Sequence, residues 1–114
     1  MLFRKLFRLA LIYCESGINP GEALKLAKKA AELKPNYESY YVLARAYLSN
    51  NNPQKAVEYF KESLKLNPNN TWCLYWLGKV YKYYLKNTDE AEKYFERTLE
   101  INPNFRFILE ELQK

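Results

Sequence analysis

Trp72 and Trp76 stand four residues apart, and Lys79 and Lys82 follow them among Tyr75, Tyr81, Tyr83 and Tyr84. Rings interleaved with cations are suited to recognition: the rings bury against apolar groups, and the ammonium groups meet ring faces or acids. The Lys79 to Tyr84 run could also stack bases and neutralise phosphates. Its segment carries no net charge, however, which argues against a nucleic-acid partner. Groups for catalysis are scarce. The chain has no histidine, so the usual general base is missing. Asp89-Glu90 and Glu110-Glu111 follow ordinary helical charge patterns, and Gly17, Gly21 and Gly78 are too scattered to cradle a phosphate. Cys14 and Cys73 lack C-x-x-C spacing, and no cluster supplies the ligands of a zinc site. The expectation is a protein that is not an enzyme, with no cofactor, no metal and no small-molecule substrate. Two reduced thiols point to the cytoplasm, with one disulfide between them left open.

Helices must carry these residues. A first helix is expected over about 2–15, ended by Ser16-Gly17-Ile18-Asn19. Asn19-Pro20 opens a second that runs to 33, with Asn as cap and Pro at the first helical position. A third spans about 37–48. After Asn50-Asn51-Asn52, Pro53 opens a fourth, with Ala56, Val57, Phe60 and Leu64 at helical spacing. A fifth covers about 71–85 and a sixth 89–101, with Asp89, Glu90 and Glu92 in its first turn, where the helix dipole favours negative charge.

One pattern recurs three times. Leu74, Leu77, Gly78, Tyr81, Ala91, Phe95 and Pro103 correspond to Tyr40, Leu43, Ala44, Tyr47, Ala56, Phe60 and Pro68. Both correspond to Leu6, Leu9, Ala10, Tyr13, Ala23, Ala27 and Pro35. The period is about 34 residues. Small residues (Ala10, Ala44, Gly78; Ala23, Ala56, Ala91) mark places where helix backbones cross closely, and Tyr13, Tyr47 and Tyr81 fill the space around them. Spacings that differ by one residue between copies fall in the predicted turns. This pattern resembles the tetratricopeptide repeat, although the first copy lacks the bulky aromatic at Ala27 and has Leu6 in place of Trp. The resemblance implies an all-α fold, a right-handed α-α superhelix of three helix pairs in a single domain over residues 1–114. The repeats lie at about 3–36, 37–70 and 71–105, followed by a capping helix at about 106–114. In that helix Phe105, Ile108, Leu109 and Leu112 form the apolar stripe, with Glu110, Glu111, Gln113 and Lys114 off it. A truncated fourth repeat is the alternative.

The resemblance also implies function: a scaffold that binds a peptide or protein segment in a concave groove lined by the first helix of each pair. In this chain those positions include Phe7, Leu11, Tyr41, Val42, Arg45, Trp72, Tyr75, Trp76 and Lys79, with Arg4, Arg8, Glu38, Lys82 and Tyr83 beside them. Some relatives clamp the carboxylate of a chaperone tail with polar side chains. The corresponding residues here are Phe7, Leu11, Val42, Trp72 and Trp76, none of them polar, so an apolar partner with acidic flanks is expected instead.

The net charge is +5, and residues 3–36 carry seven Lys/Arg against three Glu. A basic end suits acidic partners, though exposed lysines are also what any solvated helix face carries. Arg8 interrupts the apolar start and no cleavage site follows, so residues 2–15 read as the first helix of the fold rather than a leader. No stretch approaches the ~20 apolar residues of a membrane span. The first helix is apolar nearly all round, through Leu2, Phe3, Leu6, Phe7, Leu9, Leu11, Ile12 and Tyr13, as if covered on several sides. Self-association through it, making a homo-oligomer, is the alternative function.

Overall fold

The computed structural model describes residues 1–112, which form helices joined by short turns. These are α1 (Leu2–Ser16), α2 (Pro20–Leu33), α3 (Tyr37–Ser49), α4 (Pro53–Leu66), α5 (Thr71–Lys79) continuing into a π turn (Val80–Tyr84), α6 (Thr88–Ile101) and α7 (Arg106–Leu112). Gln113, Lys114 and the side chain of Leu112, assigned above to the capping helix, lie outside the described residues. The chain forms two compact units, Met1–Pro68 with α1 to α4 and Asn69–Lys114 with α5 to α7.

Asparagine sets the helix starts. Asn19, Asn36, Asn52, Asn70 and Asn87 each accept, through the side chain, a backbone N–H from the first turn of the helix that follows. Each such cap contributes about 1 kcal/mol. Asn36 goes further: its Oδ1 accepts from Ser39 N at 2.9 Å while its own N–H donates to Ser39 Oγ at 3.0 Å, a reciprocal capping box. Gly17 ends α1 at φ 71°, and its N–H returns to the Tyr13 carbonyl at 3.1 Å.

The spare residue of the third repeat is not in a turn, as the sequence suggested, but inside the first helix of the pair. Asn52 N donates to Tyr47 O at 3.0 Å, and its counterpart Asn87 N donates to Tyr81 O at 2.8 Å, with one more residue between the partners. The π turn absorbs it, with Leu85 N bonding back to Val80 O at 3.0 Å. The α-helix expected over 71–85 therefore stops at Lys79. Just before the Asn cap the backbone passes through the left-handed region in both copies, at Asn51 (φ 60°) and at Lys86 (φ 54°). Asparagine tolerates that conformation; for lysine it costs roughly 1–2 kcal/mol. Lys86→Asn is expected to stabilise the protein by about 1 kcal/mol, read as a higher urea midpoint at unchanged slope.

In the first unit Ala10, Ala23, Ala27, Val42, Leu43 and Ala46 form a fully or nearly buried core, with Phe7, Leu11, Tyr13, Leu24 and Tyr59 packed on it. In the second, Tyr75, Ala91, Phe95, Phe105 and Ile108 do the same, with Trp76, Tyr81 and Leu99 alongside. The signature tyrosine has a fixed partner. Tyr47 stacks on Tyr59 at 5.6 Å and 4°, and Tyr81 on Tyr94 at 5.7 Å and 5°. Both partners directly precede the signature phenylalanine; in the first repeat that position is Leu26.

Phe105, just before α7, and Ile108 within it are buried, but two other residues of the segment differ from expectation. Leu109 faces solvent. Glu111, expected to be exposed, is buried: it accepts from Tyr83 Oη at 2.5 Å and from Lys82 Nζ at 3.2 Å. A carboxylate can be buried only with such partners, because desolvating it alone costs several kcal/mol. α1 is apolar on both its covered and its open sides. Phe3 and Ala10 are buried, yet Leu2, Leu9 and Ile12 stand open to solvent.

Candidate partner-binding site

In the first unit α1 and α3 supply the residues singled out above. Phe7 and Leu11 are partly buried against the core. Phe7 stacks on Phe3 at 6.1 Å, and the Arg4 guanidinium lies 5.5 Å from both ring centres. Arg4 in turn makes a two-pronged pair with Glu38 at 2.9 and 3.0 Å. The Glu38 hydrogen bond, then its charge, raises the Arg4 pKa further. The pair stays partly exposed, so it is a weak tie between α1 and α3. Tyr41 is partly buried, its ring 5.9 Å from that of Phe60 and 5.9 Å from the Arg45 guanidinium. Arg45 reaches Glu15 at 3.9 Å. Val42 has no surface at all: it sits in the alanine-rich core and is a packing residue, not a contact for a partner.

In the second unit α5 carries the aromatic set. Trp72 is 45% exposed. Its covered side meets Phe105 at 5.2 Å, Phe107 at 5.4 Å and Tyr75 at 6.0 Å. Tyr75 lies buried among Trp72, Trp76, Phe95, Phe105 and Phe107, so it backs the surface rather than forming it. Trp76 is half-buried, with the Lys79 ammonium 4.9 Å from its ring centre and 5.3 Å from that of Tyr75. Such contacts hold about 0.5–1 kcal/mol each at exposed sites. Three more residues of the Lys/Tyr run are likewise engaged: Tyr81 stacks on Tyr94, while Lys82 and Tyr83 hold Glu111. Phe107 was missed from the sequence because it follows the closing-helix stripe out of register. It is nevertheless an exposed ring that extends the Trp72 surface.

Neither cysteine forms a disulfide; Cys14 is half-buried and Cys73 buried. Burial pushes the Cys14 thiol above its ordinary value, more than the Arg45 charge and a Ser49 hydrogen bond pull it down. The folded state thus favours the neutral thiol, a contribution present below the unfolded thiol's range and lost as pH rises through the raised value. Ellman's reagent at pH 8 is expected to modify Cys14 more slowly than free cysteine, with the rate still climbing above pH 9; a stopped-flow pH series checks this.

A family model of the tetratricopeptide type, described as anaphase-promoting complex, cyclosome, subunit 3, matches residues 18–98. The chain belongs to that tetratricopeptide-repeat family. The Photosystem I assembly protein Ycf3 of Synechococcus sp. (strain CC9605) is 28% identical over 78 residues. These make up 68% of this chain and 43% of that protein, so the chain spans less than half of this curated relative. MamA, among solved structures, is 28% identical with a TM-score of 0.81, over 93% of this chain and 61% of its own. The first TPR of Spaghetti (RPAP3), bound to the HSP90 peptide SRMEEVD, is 25% identical with a TM-score of 0.85, over 97% of this chain and 87% of that one. The fold is that of a protein-interaction scaffold. No helix among the described residues is long and apolar enough to cross a membrane.

Proposed function

We propose that the chain binds an apolar peptide or protein segment with acidic flanks along the first helices of its repeats. Phe7, Leu11, Tyr41 and Arg45 would act in the first unit, and Trp72, Trp76 and Lys79 in the second, backed by Tyr75. The observation that carries this is the open, well-supported aromatic surface of α5: half-exposed Trp72 on its bed of rings, with Lys79 over Trp76. Rigid aromatic anchors beside a cation are the commonest hot-spot chemistry, and little entropy is lost in binding because the rings are already fixed. The peptide held by the RPAP3 domain supports a peptide as ligand in this fold. The apolar residues at the clamp positions favour a different peptide. A reducing compartment such as the cytoplasm suits two thiols that form no disulfide.

Peptides of about 12 residues selected from a random library on the immobilised protein provide the test. They are expected to converge on two or more apolar side chains next to Asp or Glu. Trp76→Ala and Phe7→Ala should each weaken the best of them by about tenfold or more, while SRMEEVD itself binds no better to the parent than to these variants. Selection of purely polar peptides, or affinities untouched by both substitutions, would rule the reading out.

A further inference from the structure

The outward side of α1 combines two features that the binding surface above does not use. Leu2, Leu9 and Ile12 are 58%, 40% and 58% exposed. At one hundred degrees per residue they fall on one stripe. Lys5 lies within that stripe and Arg8 along its edge, both exposed. No acidic residue occurs on α1 before Glu15, and the Arg4 charge is already matched by Glu38. Just past α2, exposed Lys34 adds a further cation, its ammonium 5.4 Å from the Phe3 ring of α1. Apolar and basic side chains therefore share one exposed helix face.

We infer that this face docks on an anionic lipid surface. A helix lying in the headgroup layer buries Leu, Ile and similar side chains just below it, while Lys and Arg bend up to the phosphates. Such a layer supplies the apolar depth for Leu2, Leu9 and Ile12 and the negative charge for Lys5 and Arg8 together. A second copy of this chain supplies only the first. Two-fold pairing of α1 faces gathers Lys5 and Arg8 of both copies into one interface with a single acid, Glu15, from each, and that excess of like charge opposes association.

Flotation of the full chain with vesicles tests this, comparing phosphatidylcholine alone with phosphatidylcholine containing 30% phosphatidylglycerol, a fraction of about one lipid in three chosen for its negative surface potential. Binding is expected to the anionic vesicles and not to the neutral ones. Leu9→Glu with Ile12→Glu should abolish it, and Lys5→Glu with Arg8→Glu should reduce it by about tenfold or more. All four positions are exposed, so circular dichroism and the thermal midpoint should stay at parent values. Trp76→Ala, which disables the peptide surface, should float like the parent. Absence of binding to anionic vesicles at low salt overturns the inference. So does a self-associating species in sedimentation velocity that Leu9→Glu dissolves without any vesicle binding in the parent.

Discussion

Phe60→Ala is expected to destabilise the protein by about 3–5 kcal/mol, the range for removing a fully buried aromatic side chain from a packed core. Among the described residues, Phe60 is the largest side chain with no solvent exposure. It sits in the middle of α4, and Tyr41 of α3 lies against it with ring centres 5.9 Å apart. Truncation removes the transfer free energy of the ring and leaves a void that helix backbones cannot close. Domains of this size hold only about 5–15 kcal/mol in total, so the loss takes a large share. The thermal midpoint should fall by roughly 4 °C for each kcal/mol. Leu66→Ala, near the end of the same helix but 56% exposed, is the matched control, with an expected change within about 0.5 kcal/mol. The two variants differ in burial far more than in helix propensity. Equal midpoints would mean that Phe60 is not enclosed. A further consequence reaches the proposed binding surface: without the Phe60 ring, Tyr41 loses a group it packs against, and peptide affinity should fall with stability.

The spacing of Tyr, Ala, Phe and Pro, with Asn at the turns, was enough to read the helix pairs from the sequence, because each of those residues has one backbone or packing task. Pro20 and Pro53 open helices since their missing N–H is not needed there. The π turn was not legible: the spare residue shows only as a count between Tyr81 and Ala91, and a count does not say whether helix or loop takes it up. Glu111 was misassigned for a different reason. Periodicity treats a carboxylate as a marker of the solvent side, whereas Lys82 and Tyr83, nearly thirty residues earlier, supply what it needs to be buried. The binding residues divide the same way. Val42 and Tyr75 share apolar character with their neighbours, and only the packing reveals that one is core and the other support, while Trp72 keeps an open edge. Side-chain type predicts that a residue seeks cover; which surface provides it is decided by the fold.

Gly78→Ala should destabilise the protein by about 1–3 kcal/mol, even though alanine is the better helix former by up to ~1 kcal/mol. The signature admits Ala or Gly at this place, and Ala10 and Ala44 occupy it in the other two copies with no solvent exposure. By sequence the three are interchangeable. In the third repeat they are not, because the Phe95 ring lies over the glycine: a Cβ built there falls 2.6 Å from its Cδ1, nearer still to Cε1, and 3.0 Å from Cζ. The ring has little room to retreat, being buried in the second unit's core with Tyr75 6.4 Å away. Overpacking must then move the ring or push α5 away from α6. Phe95→Leu in the Gly78→Ala background should relieve the clash, so the double variant is expected to be more stable than the two single losses added together by at least about 1 kcal/mol. Chemical unfolding of the four proteins gives that coupling directly. Ala44→Gly, at a site where the methyl is already packed with no solvent exposure, should simply lose the propensity and methyl burial of alanine, about 1 kcal/mol or somewhat more. Opposite residues would then be preferred at equivalent positions of neighbouring repeats. Full stability in Gly78→Ala would mean instead that the ring yields, and that glycine there is an accident of sequence rather than a requirement of the crossing.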